Sequence, residues 1–388
     1  MENIYEELKP PKRILLGPGP SNVNPRVYKA MMTPIVGYLD SELLKIMDGI
    51  VEMLRKIFRT KNKITFPISG TGTAGMEAAL CNIIEPGDEI LICINGYFGT
   101  RIKDMVERYG GKPIVIEAPW GEIIPPEKVR EVLKKKRVKL VAIVHTETST
   151  GVLQPLEEIS EIIRESDTLL LVDTVASLGG SPVETDKLGI DIVYSATQKC
   201  LSCPPGLAPI TFSEKAVEII RKRKSKVSSF YLDVNFLEKY WFGGKRAYHH
   251  TVSMSLIYAL YEGLKIVLEE GLETRFERHR RNAKALKAGL KAMGLKLIAQ
   301  EGHQAPMLTT VAIPEGISDT EIRGRLLKEY GIEIGGGLGV FSGKAWRIGL
   351  MGESSTQNNV LLVLSALERL LSESGYKVEP VSYTHLRA

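Results

Sequence analysis

Residues 169–199 read LLLVDTVASLGGSPVETDKLGIDIVYSATQK, and this stretch decides the fold. Its first five residues, Leu169–Asp173, are an apolar run closed by a carboxylate. A strand that is apolar on both faces belongs inside a parallel sheet with helices on each side. Ile192–Ser195 predicts a second such strand, and this one runs directly into Lys199. The interval between Asp173 and Lys199 has room for one helix and the second strand. Both polar groups therefore emerge at the same edge of the sheet, where ligands of parallel sheets bind.

Working outward, further strands are expected at Ile64–Ile68, Glu89–Ile94, Pro113–Glu117, Leu140–His145 and Ala208–Phe212. Amphipathic stretches alternate with them at Leu43–Phe58, Gly75–Ile84, Arg101–Tyr109, Pro126–Lys135 and Leu156–Glu165. The alternation predicts an α/β fold with a mostly parallel seven-stranded sheet flanked by helices. After about Thr251 the pattern changes to long helices, with Glu270-Gly271 interrupting two of them. The remainder predicts a smaller C-terminal α/β unit: strand Leu308–Ile313, helix Asp319–Tyr330, strand Ile332–Ile334, a glycine-rich turn, strand Ala345–Gly349 and helix Gln357–Leu371. The expected organisation is an N-terminal arm and loop (1–20), a large domain (21–270), a small domain (271–378) and a tail without expected structure (379–388).

Composition agrees with a globular chain of two packed units. The protein has 388 residues, 44% of them hydrophobic and 25% charged, more than one core normally supports. A net charge of +5, from 51 basic and 46 acidic side chains, is too small to argue for nucleic acid. The basic run Arg221–Lys224 is expected to cap the solvated end of a helix. Four cysteines, Cys81, Cys93, Cys200 and Cys203, do not make a disulfide framework in a chain this long, so a reduced, cytoplasmic protein is expected. Cys200 and Cys203 lack the second pair that a structural zinc site needs and are read as small residues at a turn. No apolar run approaches membrane-spanning length, and the charged start of the chain has no signal-peptide core.

Three motifs converge. Gly70-Thr-Gly-Thr-Ala-Gly75 follows a strand and opens a helix, which aims backbone N–H groups and the Thr71 and Thr73 hydroxyls at an anion. It also fits a dinucleotide fingerprint, but the next strand ends in Asn95-Gly96-Tyr97-Phe98 where that fold places an acid for the ribose. Asp173 is a costly carboxylate to bury and so should face a cation or donors. Lys199, leaving a buried strand, has the setting of an amine nucleophile. An anion cradle, a carboxylate and an amine are together what pyridoxal phosphate requires. Arg347, in Trp346-Arg347-Ile348-Gly349, sits on an apolar strand, where it reads either as a fork for a substrate carboxylate or as a surface salt bridge. His249 and His250 are adjacent, so in extended chain they point to opposite faces and cannot share one ion. The stiff Leu15–Asn22 loop is read as a spacer unless other residues point to it.

On LLGPGPSN (15–22), ISGTGTAGMEAAL (68–80), STGVLQPL (149–156), LLLVDTVASLGG (169–180), YSATQK (194–199), PPG (204–206), YHHT (248–251) and WRIG (346–349), the chain resembles the alanine–glyoxylate and serine–pyruvate aminotransferases. These are class V aminotransferases of pyridoxal-phosphate fold-type I. The resemblance implies Lys199 as the Schiff-base lysine and Asp173 as partner of the pyridine nitrogen. It implies Thr71, Gly72, Thr73 and Gln198 at the phosphate, Phe98 stacked on the ring, Val175 on the opposite face and Thr148 at the ring hydroxyl. Tyr248 and Thr251 would reach the phosphate of a neighbouring subunit in a homodimer. Arg347 and the backbone near Gly19 would bind the substrate carboxylate. Animal members often carry His and Trp where this chain has Thr73 and Phe98.

The activity so implied is a ping-pong transamination through a Lys199 aldimine, from alanine or serine to glyoxylate or pyruvate. A kynurenine or 3-hydroxykynurenine donor is the alternative on the same scaffold. A second arginine for a distal carboxylate is not evident in the matched pocket, which favours small side chains. A cysteine desulfurase would need a mobile nucleophilic cysteine in the small unit, whereas every cysteine lies at or before Cys203. A catalytically silent binding protein on this scaffold is disfavoured by the presence of Lys199, Asp173 and Arg347 together. No metal is expected.

Overall fold

The computed structural model describes residues 7–378. Its central sheet has seven strands: β1 (Ile64–Ser69), β2 (Glu89–Ile94), β3 (Lys112–Glu117), β4 (Leu140–Val144), β5 (Leu169–Asp173), β6 (Ile192–Tyr194) and β7 (Leu207–Phe212). They lie in the order β1-β7-β6-β5-β4-β2-β3. All pairings are parallel except those of β7, which is antiparallel to both β6 and β1. Every residue of β4 and β5 is buried, as strands covered on both faces require. From β2 the chain steps outward to β3 and returns on the other side as β4. That reversal opens a crevice at the carboxyl ends of the strands. The register sets Asp173 opposite Val144 on one side and Tyr194 on the other.

Two helices bring residues to this crevice. Helix α1 (Gly72–Ile83) follows β1, with Thr71 at its N-cap in extended conformation and making no side-chain cap bond. Helix α2 (Tyr97–Arg108) follows β2 through Asn95-Gly96. Both begin several residues earlier than the hydrophobic pattern predicts: α1 opens on the small residues Gly72-Thr73-Ala74, and α2 on Tyr97-Phe98-Gly99-Thr100, neither of which continues the apolar repeat of its helix. The short helices Pro25–Met31 and Val234–Trp241 were not predicted, since two turns give too little periodicity to read. Helix Glu214–Arg221 ends in the basic run as expected, with Arg221 paired to Glu238 and Lys222 to Glu218 in solvent.

The C-terminal part builds a second apolar core, which contains Leu286, Trp346, Ile348 and Leu364 and also takes in Leu16. Its antiparallel sheet joins β8 (Leu308–Ala312), β10 (Ala345–Gly349) and β9 (Gly335–Gly336). The predicted glycine-rich turn is thus in part an edge strand. Gly335 lies opposite Arg347, and a Cβ there would come within 2.5 Å of Pro18 Cδ, so only glycine lets the arm pass. The arm is stitched to this unit by Ile14–Leu15, paired in parallel with Ile332–Glu333. The predicted tail lies outside the described residues. Among the described residues no helix is long and apolar enough to cross a membrane.

Candidate active site

A cavity of about 220 Å³ opens at the carboxyl edge of the sheet, lined by Thr71, Gly72, Thr73, Phe98, Arg101, Thr146, Thr148, Asp173, Val175, Gln198 and Lys199 among others. The sequence motifs thus meet in one place. Asp173 is 3% exposed. Its Oδ1 accepts the Val175 N–H at 2.8 Å and its Oδ2 accepts the Tyr194 hydroxyl at 2.7 Å. Lys199 reaches back to the leading loop, where its Nζ donates to the Pro18 carbonyl. Gly19 has φ +106°, and a Cβ on it would lie 2.5 Å from Lys199 Nζ. Ser21 Oγ donates to the Lys199 carbonyl at 2.8 Å. The stiff loop therefore packs on the site lysine and is more than a spacer.

Burial governs the charges. It pushes the Asp173 carboxyl up to about 6, against the Val175 and Tyr194 donors and the positive charges of Lys199 and Arg101. Burial, with the charge of Arg347 next in weight, brings the Lys199 amine down to about 8. An acid raised and an amine lowered in one cleft mark a place where protons are moved. Arg347 is 8% exposed and does not lie on the surface. Its Nε donates to the Gly336 carbonyl at 2.7 Å and its Nη1 to the Thr148 carbonyl at 3.4 Å. Arg347 and Gly19 are not among the residues that line this cavity, although Gly19 packs on Lys199, which does.

The family model described as aminotransferase class V matches residues 22–360. The chain belongs to the class V aminotransferases. This transaminase is 44% identical to the (S)-ureidoglycine–glyoxylate transaminase of Bacillus subtilis (strain 168), over 96% of its own length and 94% of that protein. It is 44% identical to the alanine–glyoxylate aminotransferase of Callithrix jacchus, over 96% and 91% of the two chains. The crystal structure of alanine–glyoxylate aminotransferase from Nostoc sp. superposes with a TM-score of 0.93 at 48% identity, covering 95% of this chain and 97% of that one. That of the ureidoglycine–glyoxylate aminotransferase of Bacillus subtilis gives 0.95 at 45% identity, covering 98% of each.

Several features of the transaminase site were not read from its sequence. Tyr194 lies within a quoted motif, yet its bond to Asp173 follows only from the β5–β6 register. Glu147 is fully buried and holds the start of α2: its Oε2 accepts the Phe98 and Gly99 N–H groups at 2.9 and 3.3 Å, while Oε1 accepts from Ser149. Gly96 makes this possible, because a Cβ there would come within 2.3 Å of Glu147 Cγ. The alternation of extended chain puts Thr146 and Thr148 on the cavity side and Glu147 behind. The expectation of no second arginine in the pocket is corrected by Arg101, which lines the cavity one helical turn beyond Phe98. The argument about the histidines is also corrected. The chain at 249–250 belongs to no strand, and the two Nδ1 atoms lie 2.8 Å apart, so the rings meet rather than point to opposite faces. No third ligand joins them: among the described residues no group of three His, Cys, Asp or Glu could hold a metal. Tyr248 and Thr251 do not line the cavity. They bond each other at 3.2 Å, and Tyr248 is 53% exposed.

Proposed function

We propose that this transaminase uses pyridoxal phosphate and moves the amino group of a small 2-amino acid, alanine or serine, to glyoxylate or pyruvate. The observation that carries the cofactor is the meeting of Lys199, Asp173 and the first turn of α1 around one cavity. The residues present fit the group. Gln198 Oε1 and Thr146 Oγ1 are buried at the cavity with no partner in the protein, which is costly unless a ligand satisfies them. Class V aminotransferases generally depend on this cofactor. When bound it supplies an electron sink for charge at the substrate α-carbon.

The chain's own residues do the rest. With its amine near 8, Lys199 has a neutral fraction at physiological pH and can take and return the proton at the α-carbon. Asp173, oriented by Val175 and Tyr194, would hold a proton on the pyridine nitrogen. Thr71, Gly72, Thr73 and Gln198 would hold the phosphate, Phe98 and Val175 would face the ring, and Thr148 would meet its hydroxyl. Arg347, fixed by the Gly336 and Thr148 carbonyls beside Gly19, would receive the α-carboxylate that donor and acceptor share. Glyoxylate as acceptor is supported by relatives at 44% identity whose names carry it. The names of these relatives differ in donor, ureidoglycine in one and alanine in the other.

The same reading makes the enzyme a homodimer. Tyr248 lies on the surface with Tyr38, Phe230, Tyr231 and Phe236, all exposed, and an apolar face of this kind is normally covered. A second copy would bring Tyr248 and Thr251 to the partner's phosphate. Four free, buried thiols support a cytoplasmic setting.

Borohydride reduction of the purified protein followed by peptide mapping should place the cofactor on Lys199. Label on another lysine would sink the assignment. Steady-state assays of alanine, serine, glutamate and kynurenines with glyoxylate, pyruvate and 2-oxoglutarate decide the substrates, and a wide preference for glutamate with 2-oxoglutarate would overturn the pairing. A monomer by sedimentation that is fully active would overturn the dimer.

A further inference from the structure

We propose that Arg101 is the cationic partner of the cofactor phosphate; this rests on the pyridoxal-phosphate reading above. Phe98 and Arg101 stand three residues apart on the first turns of α2, so they share a face of the helix. The Arg101 guanidinium lies 4.9 Å from the Phe98 ring centroid and 5.3 Å from that of Tyr97. Its Nη1 is 3.5 Å from Thr73 Oγ1, in the opening turn of α1. Lying over the rings takes up none of its N–H groups, and those not turned to Thr73 stay available to an anion.

Charge accounting at the cradle leads to the same place. Thr71, Gly72, Thr73 and Gln198 are all neutral. The N-terminus of α1 offers only about half a positive charge, against nearly two negative charges on a phosphate monoester at neutral pH. The cavity wall carries two cations among the described residues, Lys199 and Arg101. Lys199 is committed to the reacting carbon. Arg347 does not line the cavity and is held by the Gly336 and Thr148 carbonyls. Arg101 makes no ion pair with a carboxylate among the described residues; its partners are Thr73 and the two rings. An arginine fork beside a helix N-terminus has the donor geometry for phosphate oxygens. A distal substrate carboxylate would be the other anion for it. Its place beside Thr73, rather than beside Thr148 and Arg347, favours the phosphate.

The test compares two ligands that differ only in that group. Cofactor-free wild type, Arg101→Met and Arg101→Lys are titrated with pyridoxal phosphate and with pyridoxal, following quenching of intrinsic fluorescence. Methionine keeps the apolar stem against Phe98 while removing the charge. Pyridoxal phosphate affinity should fall about 10- to 100-fold in Arg101→Met, the scale of a hydrogen bond to a charged group. Pyridoxal affinity should stay within about twofold of wild type, and lysine should recover part of the loss because it restores the charge without the fork. Inorganic phosphate should compete with cofactor binding in wild type and much less in Arg101→Met. Should the methionine variant fail to fold, the lysine variant carries the test: a loss confined to the phosphorylated ligand supports the proposal. Equal losses for both ligands would overturn it in favour of a packing role beside Phe98. Unchanged cofactor affinity with a raised KM for dicarboxylic donors would overturn it in favour of a substrate seat. A wild type that binds no pyridoxal phosphate would sink the parent reading as well, so the two failures are distinguishable.

Discussion

Replacing Lys199 by Met should make the cofactor-free enzyme more stable at neutral pH. Burial takes the Lys199 amine from its ordinary 10.5 down to about 8. A lysine whose pKa falls on folding binds fewer protons folded than unfolded, so stability rises with pH across the window from about 8 to 10.5. Below that window the cost of holding the charge in the site is fully present, roughly 3 kcal/mol at about 1.36 kcal/mol per pH unit. Methionine has a similar length and no charge. It gives up the bond to the Pro18 carbonyl, which costs about 1 kcal/mol. The net expectation at pH 7 is a gain of roughly 2 kcal/mol. Near pH 11 the wild-type amine is neutral, the penalty has gone, and the variant should be the weaker by about 1 kcal/mol. Equilibrium urea unfolding of both cofactor-free proteins, at matched concentration and from pH 7 to 11, reads the difference directly. A variant less stable at pH 7, or a difference that does not change sign on the way to pH 11, would refute the claim that Lys199 is held at a cost to the fold.

Three further substitutions probe the site from other sides. Arg347→Ala should lower kcat/KM about 10- to 100-fold in both half-reactions, the scale of a charged hydrogen bond to the shared carboxylate; single-turnover kinetics with each substrate would show whether one half-reaction is spared. Tyr194→Phe removes the 2.7 Å donor to Asp173 and should move the Asp173 carboxyl up from about 6; the pH dependence of the cofactor's visible absorbance should then shift upward, and an unshifted profile would detach Tyr194 from Asp173. Gly19→Ala should weaken cofactor attachment, because φ +106° is strained for alanine and its Cβ would lie 2.5 Å from Lys199 Nζ; a variant with wild-type visible absorbance would show that the arm yields there at little cost.

The parts of the site that could be read in the sequence share one property: each is a residue at odds with its local pattern. Asp173 ends an apolar strand, Lys199 follows one closely, Gly70–Gly75 interrupts a strand-to-helix passage, and Arg347 sits in a buried strand. Asp173 at the end of β5, and Gly70–Gly75 and Lys199 just after β1 and β6, then meet at one edge of the central sheet. The residues that escaped notice look ordinary where they stand. Tyr194 is an aromatic in a strand, Glu147 a carboxylate in a polar run, and Arg101 a basic residue on an amphipathic helix. What sets each apart is a neighbour distant in sequence: Asp173 across the β5–β6 register, the first N–H groups of α2, and Thr73 at the mouth of α1. The histidine pair failed for the same reason in reverse, since a rule for strands was applied to a segment that belongs to none. On the proposed function the anomalous residues carry the reaction, and the Lys199→Met comparison tests whether they do so at a cost in stability. The ordinary ones hold the first group in place, and register and packing, rather than pattern, decide which of the many tyrosines and arginines they are.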